Sequence, residues 1–271
     1  MPGLPFGLPS AVSSDRTELR VEDWARCAGK TSNLTQKPEF TILSPKNKLL
    51  SRKDYAMSSE DWIDITVTLK PDMNYLRLDP RPPKIYRISD VANGDPVTMS
   101  MLEIISHTGT HVDTPLHFIP GGSTITDMPL DATVGPARVI EIKDPALVTV
   151  EELEPYDIKA GERILLKTRN SPVTYESPEF VEDYVYISIE AAKYLADKKI
   201  RMVGLDNITI GDFRDEESIV ATHRAFLEKG IYILEAVALD GVAPGEYELI
   251  FLPLKLKDGD ACPGRAILRP L

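Results

Sequence analysis

Residues 106–118 read Ser106-His107-Thr108-Gly109-Thr110-His111-Val112-Asp113-Thr114-Pro115-Leu116-His117-Phe118, and three of the four histidines of this 271-residue chain stand in that stretch. Histidine is the commonest metal ligand and the side chain best suited to proton transfer near neutral pH. The candidate ligands His107, His111, Asp113 and His117 do not converge on any regular element. A continuous helix would carry Asp113 about 240° round from His107. A straight strand would part His107 from His111 by roughly 13 Å, too far to share an ion. Gly109 permits a tight turn over Thr108-Gly109-Thr110, and Pro115 stops any helix from continuing, so the segment is expected to be a loop that follows a strand ending near Ser106 and folds its ligands inward.

Two imidazoles and a carboxylate form a borderline-hard set with open positions, suited to Zn²⁺, Mn²⁺ or a similar divalent ion, one that can activate water and polarise a carbonyl. The plain alternative is that these histidines hydrogen-bond neighbouring strands.

On either side of this segment the chain alternates and breaks often. Ile63, Ile65, Val67 and Leu69 alternate with Asp64, Thr66 and Thr68, the period of a half-buried strand. Further strand-like runs cover 97–106, 138–142, 163–167, 201–205, 231–239 and 248–256. Ile189, Ala192, Leu195 and Ala196 follow a candidate N-cap at Ser188 with helical spacing, and Ile219, Val220, His223, Phe226 and Leu227 precede a candidate C′ residue at Gly230. The 22 prolines are spread along the chain, which favours short elements joined by stiff loops. Many strands and few helices point to an α/β domain built round a curved or barrel-like mixed sheet. Residues 1–58 carry weak periodicity, with a helical patch near Glu22–Ala28, and read as an irregular N-terminal extension or arm; residues 59–271 read as the folded domain.

His223 lies on the apolar stripe of its helix and points inward, as a core histidine satisfied by a carbonyl or as a ligand. Glu235 falls on the face of its strand shared by Ile231, Ile233, Val237 and Leu239, where a carboxylate needs a partner. Arg224, Arg201 or Lys229 could supply an ion pair; a second metal position would serve as well. The net charge of −11 repels phosphate backbones and anionic lipid surfaces, which argues against nucleic-acid and membrane partners. Cys27 and Cys262 form no disulfide or metal-binding spacing, the N-terminus has no signal-peptide pattern, and no apolar run spans a bilayer; a cytoplasmic protein is expected.

HTGTHVDTPLHF resembles the HxGTHxDxPxHF signature of the cyclase family, which includes bacterial kynurenine formamidases, isatin hydrolases and trans-dienelactone hydrolases. The similarity runs from Asp64 to Arg265 through GGSTITDMPLDATVGPARVIEI, GLDNITI and EYELIFLPLKL. The resemblance implies a swivelling β/β/α domain over residues 59–271, acting as a metal-dependent hydrolase and assembled as a homodimer or homotetramer. It implies that His107 and His111 bind a first metal, that Asp113 bridges two, that His117 donates and accepts the proton, and that His223 and Glu235 complete a second position, with one or two ions bound as Zn²⁺ or Mn²⁺. The activity it implies is cleavage of a C–N or C–O bond in a small amide, cyclic amide or lactone by a metal-bound hydroxide, a metal-dependent cyclase or dehydratase being the rival. Kynurenine formamidases place a Trp-Pro-Gly-Asp element against the substrate where this chain has Leu76-Arg77-Leu78-Asp79, so the stacking surface of that element is missing. Arg77 could instead pair with a substrate carboxylate, or be a solvated loop charge.

Overall fold

The computed structural model describes residues 62–75, 82–171, 177 and 179–271. The arm at 1–58, with Cys27, and the Leu76–Asp79 element lie outside the described residues.

Among the described residues twelve strands occur in chain order: β1 (Ile63–Asp64), β2 (Lys84–Ser89), β3 (Met99–Glu103), β4 (His111–Asp113), β5 (Val134–Glu141), β6 (Leu147–Val148), β7 (Arg163–Lys167), β8 (Tyr186–Ile187), β9 (Met202–Leu205), β10 (Tyr232–Glu235), β11 (Gly245–Pro253) and β12 (Ala261–Pro270). Helices α1 (Val150–Leu153), α2 (Ile189–Asp197) and α3 (Glu216–Leu227) lie between them. Strands run β12-β11-β5-β7-β9-β10-β4, and β4 pairs back onto β12, so seven strands close a barrel-like ring with β1 added alongside β12. The pairs β5–β7, β7–β9 and β9–β10 are parallel and the others antiparallel, which makes the sheet mixed, as expected. Closing the ring pairs each of its seven strands on both sides.

Side chains of alternate parity along the parallel strands enter two separate cores. Val139, Leu165, Met202 and Leu234 join Val112, Phe251 and Cys262 in one cluster, while Ile140, Ile164, Leu166, Val203 and Ile233 pack against α2 and α3 in the other. Both helices start where their sequences direct. The Ser188 hydroxyl accepts the Ala191 amide at 3.0 Å, and Asp215 caps α3 with Glu216 and Glu217 in its first turn, where carboxylates favour the helix dipole. The helix ends at a cap on Glu228, and Gly230 takes the left-handed conformation just beyond it.

The structure corrects several expectations. The histidine segment is not wholly loop, because His111–Asp113 is itself a barrel strand between β10 and β12. Residues 261–270 form the longest strand among the described residues, and it carries a Cys-Pro-Gly step near its start, a composition ordinarily found in turns. Cys262 pairs with Val112 in that strand and belongs to the barrel-side core, facing away from His111 and Asp113. The run 231–239 is not one strand. Ala236 adopts φ 54°, which resets the alternation, so Glu235 shares a face with Ile233 while Val237 and Leu239 join the opposite cluster.

Gly122 sits in the turn that follows His117, and a Cβ there would lie 2.5 Å from the Pro115 carbonyl carbon and 2.6 Å from the Leu116 nitrogen. Main-chain atoms cannot swing aside. Gly122→Ala should therefore cost about 1–3 kcal/mol and lower the thermal midpoint. Gly241→Ala, with nothing within 4 Å of its Cβ, should leave the midpoint unchanged; equal melting of the two variants would contradict this assignment.

Candidate metal centre

The turn at 106–110 works because Gly109 adopts φ 66°, with its Cα so close to Leu69 that a Cβ would meet Leu69 Cδ2 at 2.6 Å. The buried Thr110 hydroxyl pins the turn, accepting the Val67 amide at 2.9 Å and donating to the Ala236 carbonyl. In β4 the side chains of His111 and Asp113 share a face, and His111 stands opposite Glu235 on β10. The strand ends at Thr114. From there Pro115–His117 make a single 3-10 turn that carries His117 back toward His107, the two ring centres lying 4.1 Å apart. The site thus sits at the C-terminal end of a parallel strand, between the sheet and α3, where crevices of open α/β sheets commonly hold ligands.

All six residues expected from the sequence converge here. His107 Nδ1 lies 3.2 Å from His111 Nε2 and 3.0 Å from Asp113 Oδ1, and His111 Nε2 lies 3.3 Å from the same oxygen. His223 Nε2 lies 3.9 Å from Asp113 Oδ2 and 3.4 Å from Glu235 Oε1, while Glu235 Oε2 is 3.3 Å from His111 Nε2. Each carboxylate therefore turns one oxygen toward His111 and the other toward His223. The cations considered as partners for Glu235 are engaged elsewhere, Arg224 with Glu228, Arg201 with Asp131 and Lys229 with Asp197.

Hydrogen bonds decide which ring atoms face inward. His111 Nδ1 donates to the Gly109 carbonyl at 2.8 Å and His223 Nδ1 to the Ile219 carbonyl at 2.7 Å; a carbonyl can only accept, so each Nδ1 carries a proton and Nε2 is the atom left to titrate or to ligate. Both Nε2 atoms then point at carboxylate oxygens. Burial alone would push these imidazoles down, but Asp113 and, for His111, Glu235 outweigh it, so His107 is raised to about 9 and His111 to about 10. His223 is raised for the same reason, despite its burial, by Glu235 and Asp113. Burial would raise Asp113, yet the His107 and His117 charges hold it well below the ordinary carboxylate range. Glu235, pushed up by burial and by Asp113, is nevertheless lowered through its bonds to His111 and His223. His117 goes the opposite way, to about 4, because burial dominates and Asp113 compensates only in part.

This donor set fits a divalent cation. Two ligands about 2.1 Å from one ion at a tetrahedral angle stand about 3.4 Å apart, close to the spacing within the His107, His111 and Asp113 trio. Among the described residues, neither buried oxygen of Asp113 has a hydrogen-bond partner. An ionised carboxylate buried so completely is strongly unfavourable unless positive charge is held against it, which protons on the imidazoles or a divalent ion would supply. The trio and a second group of Asp113, His117 and His223 each place their ligand atoms within 4.8 Å of one another.

One participant was not anticipated. Asp260, just before β12, accepts from His107 Nε2 at 2.9 Å and is lowered to about 2, mainly by that bond. Its only signal in the sequence was the Asp-Gly-Asp step before a strand, and its position depends on a pairing across about 150 residues, since Ala261 opposes Asp113. Phe118, next to His117, stacks on His223 with ring centres 4.5 Å apart and packs against the helix-side core.

Residues 63–212 match the family described as putative cyclase. The chain is 36% identical over 216 residues to a kynurenine formamidase of Bacillus thuringiensis (strain Al Hakam), covering 79% of this chain and all of that one. It superposes on a predicted metal-dependent hydrolase from Bacillus stearothermophilus with TM-score 0.66 and 32% identity, over 76% of this chain and 97% of that one. Isatin hydrolase A from Labrenzia aggregata, bound to benzyl benzoate, shares the fold at TM-score 0.68 and 24% identity, over 79% of this chain and 96% of that one. The chain belongs to the cyclase family. It is an enzyme, a metal-dependent hydrolase.

In chelator-treated protein, the stabilisation from His107 and His111 should be complete below their unfolded value of about 6.5 and disappear as pH rises through about 9 and 10. A divalent ion must displace those protons, so its apparent affinity should rise with pH over the same window. Titration calorimetry in buffers of differing ionisation enthalpy checks this; uptake without proton release would contradict it.

Proposed function

We propose that this enzyme hydrolyses the C–N or C–O bond of a small amide, cyclic amide or lactone, using Zn²⁺ or Mn²⁺ as one or two ions. The observation that carries the reading is the trio of His107 Nδ1, His111 Nε2 and Asp113 Oδ1 within 3.0–3.3 Å of one another, beside an imidazole that is not part of it. His107, His111 and Asp113 would hold the first ion, and His223 with Glu235 would complete a second position that shares Asp113. A divalent ion in such a site lowers the pKa of bound water to about 7 and polarises a carbonyl oxygen.

The protein's own groups do the rest. His117 is neutral near pH 7, because burial holds it at about 4, and so can accept a proton from the attacking water. The same nitrogen then returns it to the leaving amine or alkoxide. Phe118 packs edge-on to His117 with ring centres 4.4 Å apart and covers one side of that ring with an apolar surface. Cys262 is no rival nucleophile, since its thiol is buried in the barrel-side core and pushed up by that burial. Kinship with a kynurenine formamidase supports amides as the first class to test. The β2–β3 ribbon exposes Tyr86, Ile88, Met99, Met101 and Leu102, which supports assembly into a homodimer or homotetramer.

The deciding experiment couples elemental analysis to a screen of formanilides, isatin, lactams and lactones in ¹⁸O-labelled water. Solvent oxygen should appear in the product; turnover without label would assign a cyclase or dehydratase instead. His117→Ala should reduce kcat by about 10²- to 10⁴-fold with metal content near normal. Asp113→Asn should empty the site, and loss of metal from His117→Ala would make His117 a ligand.

A further inference from the structure

Asp260 stands apart from the His107, His111 and Asp113 trio and groups instead with His107 and His117, the three ligand atoms lying within 4.8 Å of one another, so that its carboxylate faces two of the functional imidazoles. Its main chain is anchored independently, because the Asp260 carbonyl accepts the Thr114 amide at 2.9 Å and the Thr114 hydroxyl at 2.8 Å. The carboxylate is therefore not needed to hold the loop in place. Oδ1 accepts from the Ser106 hydroxyl at 3.1 Å, which fixes the rotation of the group. Oδ2 is 2.9 Å from His107 Nε2 and 3.8 Å from His117 Nδ1. One oxygen thus addresses two stacked rings, tilted by 38° with centres 4.1 Å apart.

An ionised carboxylate only accepts hydrogen bonds, so the imidazole atom facing it must carry the proton. For His107 that atom is Nε2, which leaves the Nδ1 lone pair directed at His111 and Asp113. For His117 the facing atom is Nδ1, and at 3.8 Å the carboxylate favours the proton there by its charge rather than through a hydrogen bond. We propose that Asp260 is a positioning residue for both histidines: it keeps His107 in the Nε2–H form with Nδ1 free to ligate, and His117 in the Nδ1–H form with Nε2 free to carry the proton. The assignment to His117 rests on the hydrolase reading; the assignment to His107 rests on ligand geometry. Outer carboxylates that fix a ligating histidine are worth about 10- to 100-fold in metal affinity.

Asp260→Asn keeps the size of the side chain and the main-chain bonds to Thr114, and its thermal midpoint reports whether the fold is retained. Zn²⁺ affinity, measured by competition with a chromogenic chelator, should weaken about 10- to 100-fold. In long-range ¹H–¹⁵N spectra of the Zn²⁺-loaded protein, His117 should change from the Nδ1–H to the Nε2–H tautomer. At saturating Zn²⁺, kcat should fall, and that fall should vanish in a His117→Ala background while the affinity loss persists. Unchanged Zn²⁺ affinity, or a His117 tautomer that does not respond, overturns the dual role. A wild-type protein that hydrolyses none of the screened compounds sinks the hydrolase reading and leaves the affinity and tautomer spectra to judge Asp260.

Discussion

Two carboxylates, Asp113 and Glu235, are buried beside each other in this fold, and the rest of the centre follows from the need to neutralise them. Neither has an Arg or Lys partner among the described residues, and Asp113 lacks hydrogen bonds on both oxygens. In a medium of low dielectric such a pair is tolerated only with positive charge held against it. The protein presents imidazole nitrogens there, with their outer protons tied to main-chain carbonyls or to Asp260. What converges on the carboxylates is therefore a set of imidazole nitrogens that carry protons near neutral pH and can exchange them for a divalent cation.

The barrel makes this geometry possible. His111 and Asp113 share a face because they are two apart on a strand, and Glu235 joins them because β10 pairs with β4 in a register that sets it opposite His111. On the other face of the same strands, Val112 and Leu234 enter the apolar core and hold the register, since a slip of one residue would exchange the two faces. Helix α3 closes the site by presenting His223 from the layer where Phe226 packs. His117 differs from the other three histidines: it sits on a tight turn at the rim, and burial without full compensation keeps it neutral. A site that combines ionised ligands with a neutral base has pulled the protonation of its imidazoles apart, which is the arrangement acid–base chemistry requires.

Much of this was legible in the chain. The spacing of His107, His111, Asp113 and His117 ruled out helix and strand and required a turn, and Gly109 supplies it. The inward aspect of His223 followed from the apolar stripe of its helix. The carboxylate at Glu235 stood out because on an apolar strand face it needs a partner, an ion pair or a metal. Other features were hidden for identifiable reasons. The left-handed Ala236, which turns Val237 and Leu239 to the opposite core, leaves no mark, because alanine is an ordinary strand or helix residue. The strand at 261–270 was masked by its Cys-Pro-Gly start, residues that read as a turn until β4 and β11 are in place to pair with them.

By itself the sequence determined the chemistry on offer: which imidazoles and carboxylates exist, which segments alternate, and that the histidine segment must bend, all of which depend on residue type and local stereochemistry. Only the tertiary structure decided that Asp260 joins them, that each carboxylate divides its oxygens between His111 and His223, and that Cys262 faces away. These are consequences of strand register between segments more than a hundred residues apart, and register is set by the packing of the whole ring, which no local stretch encodes.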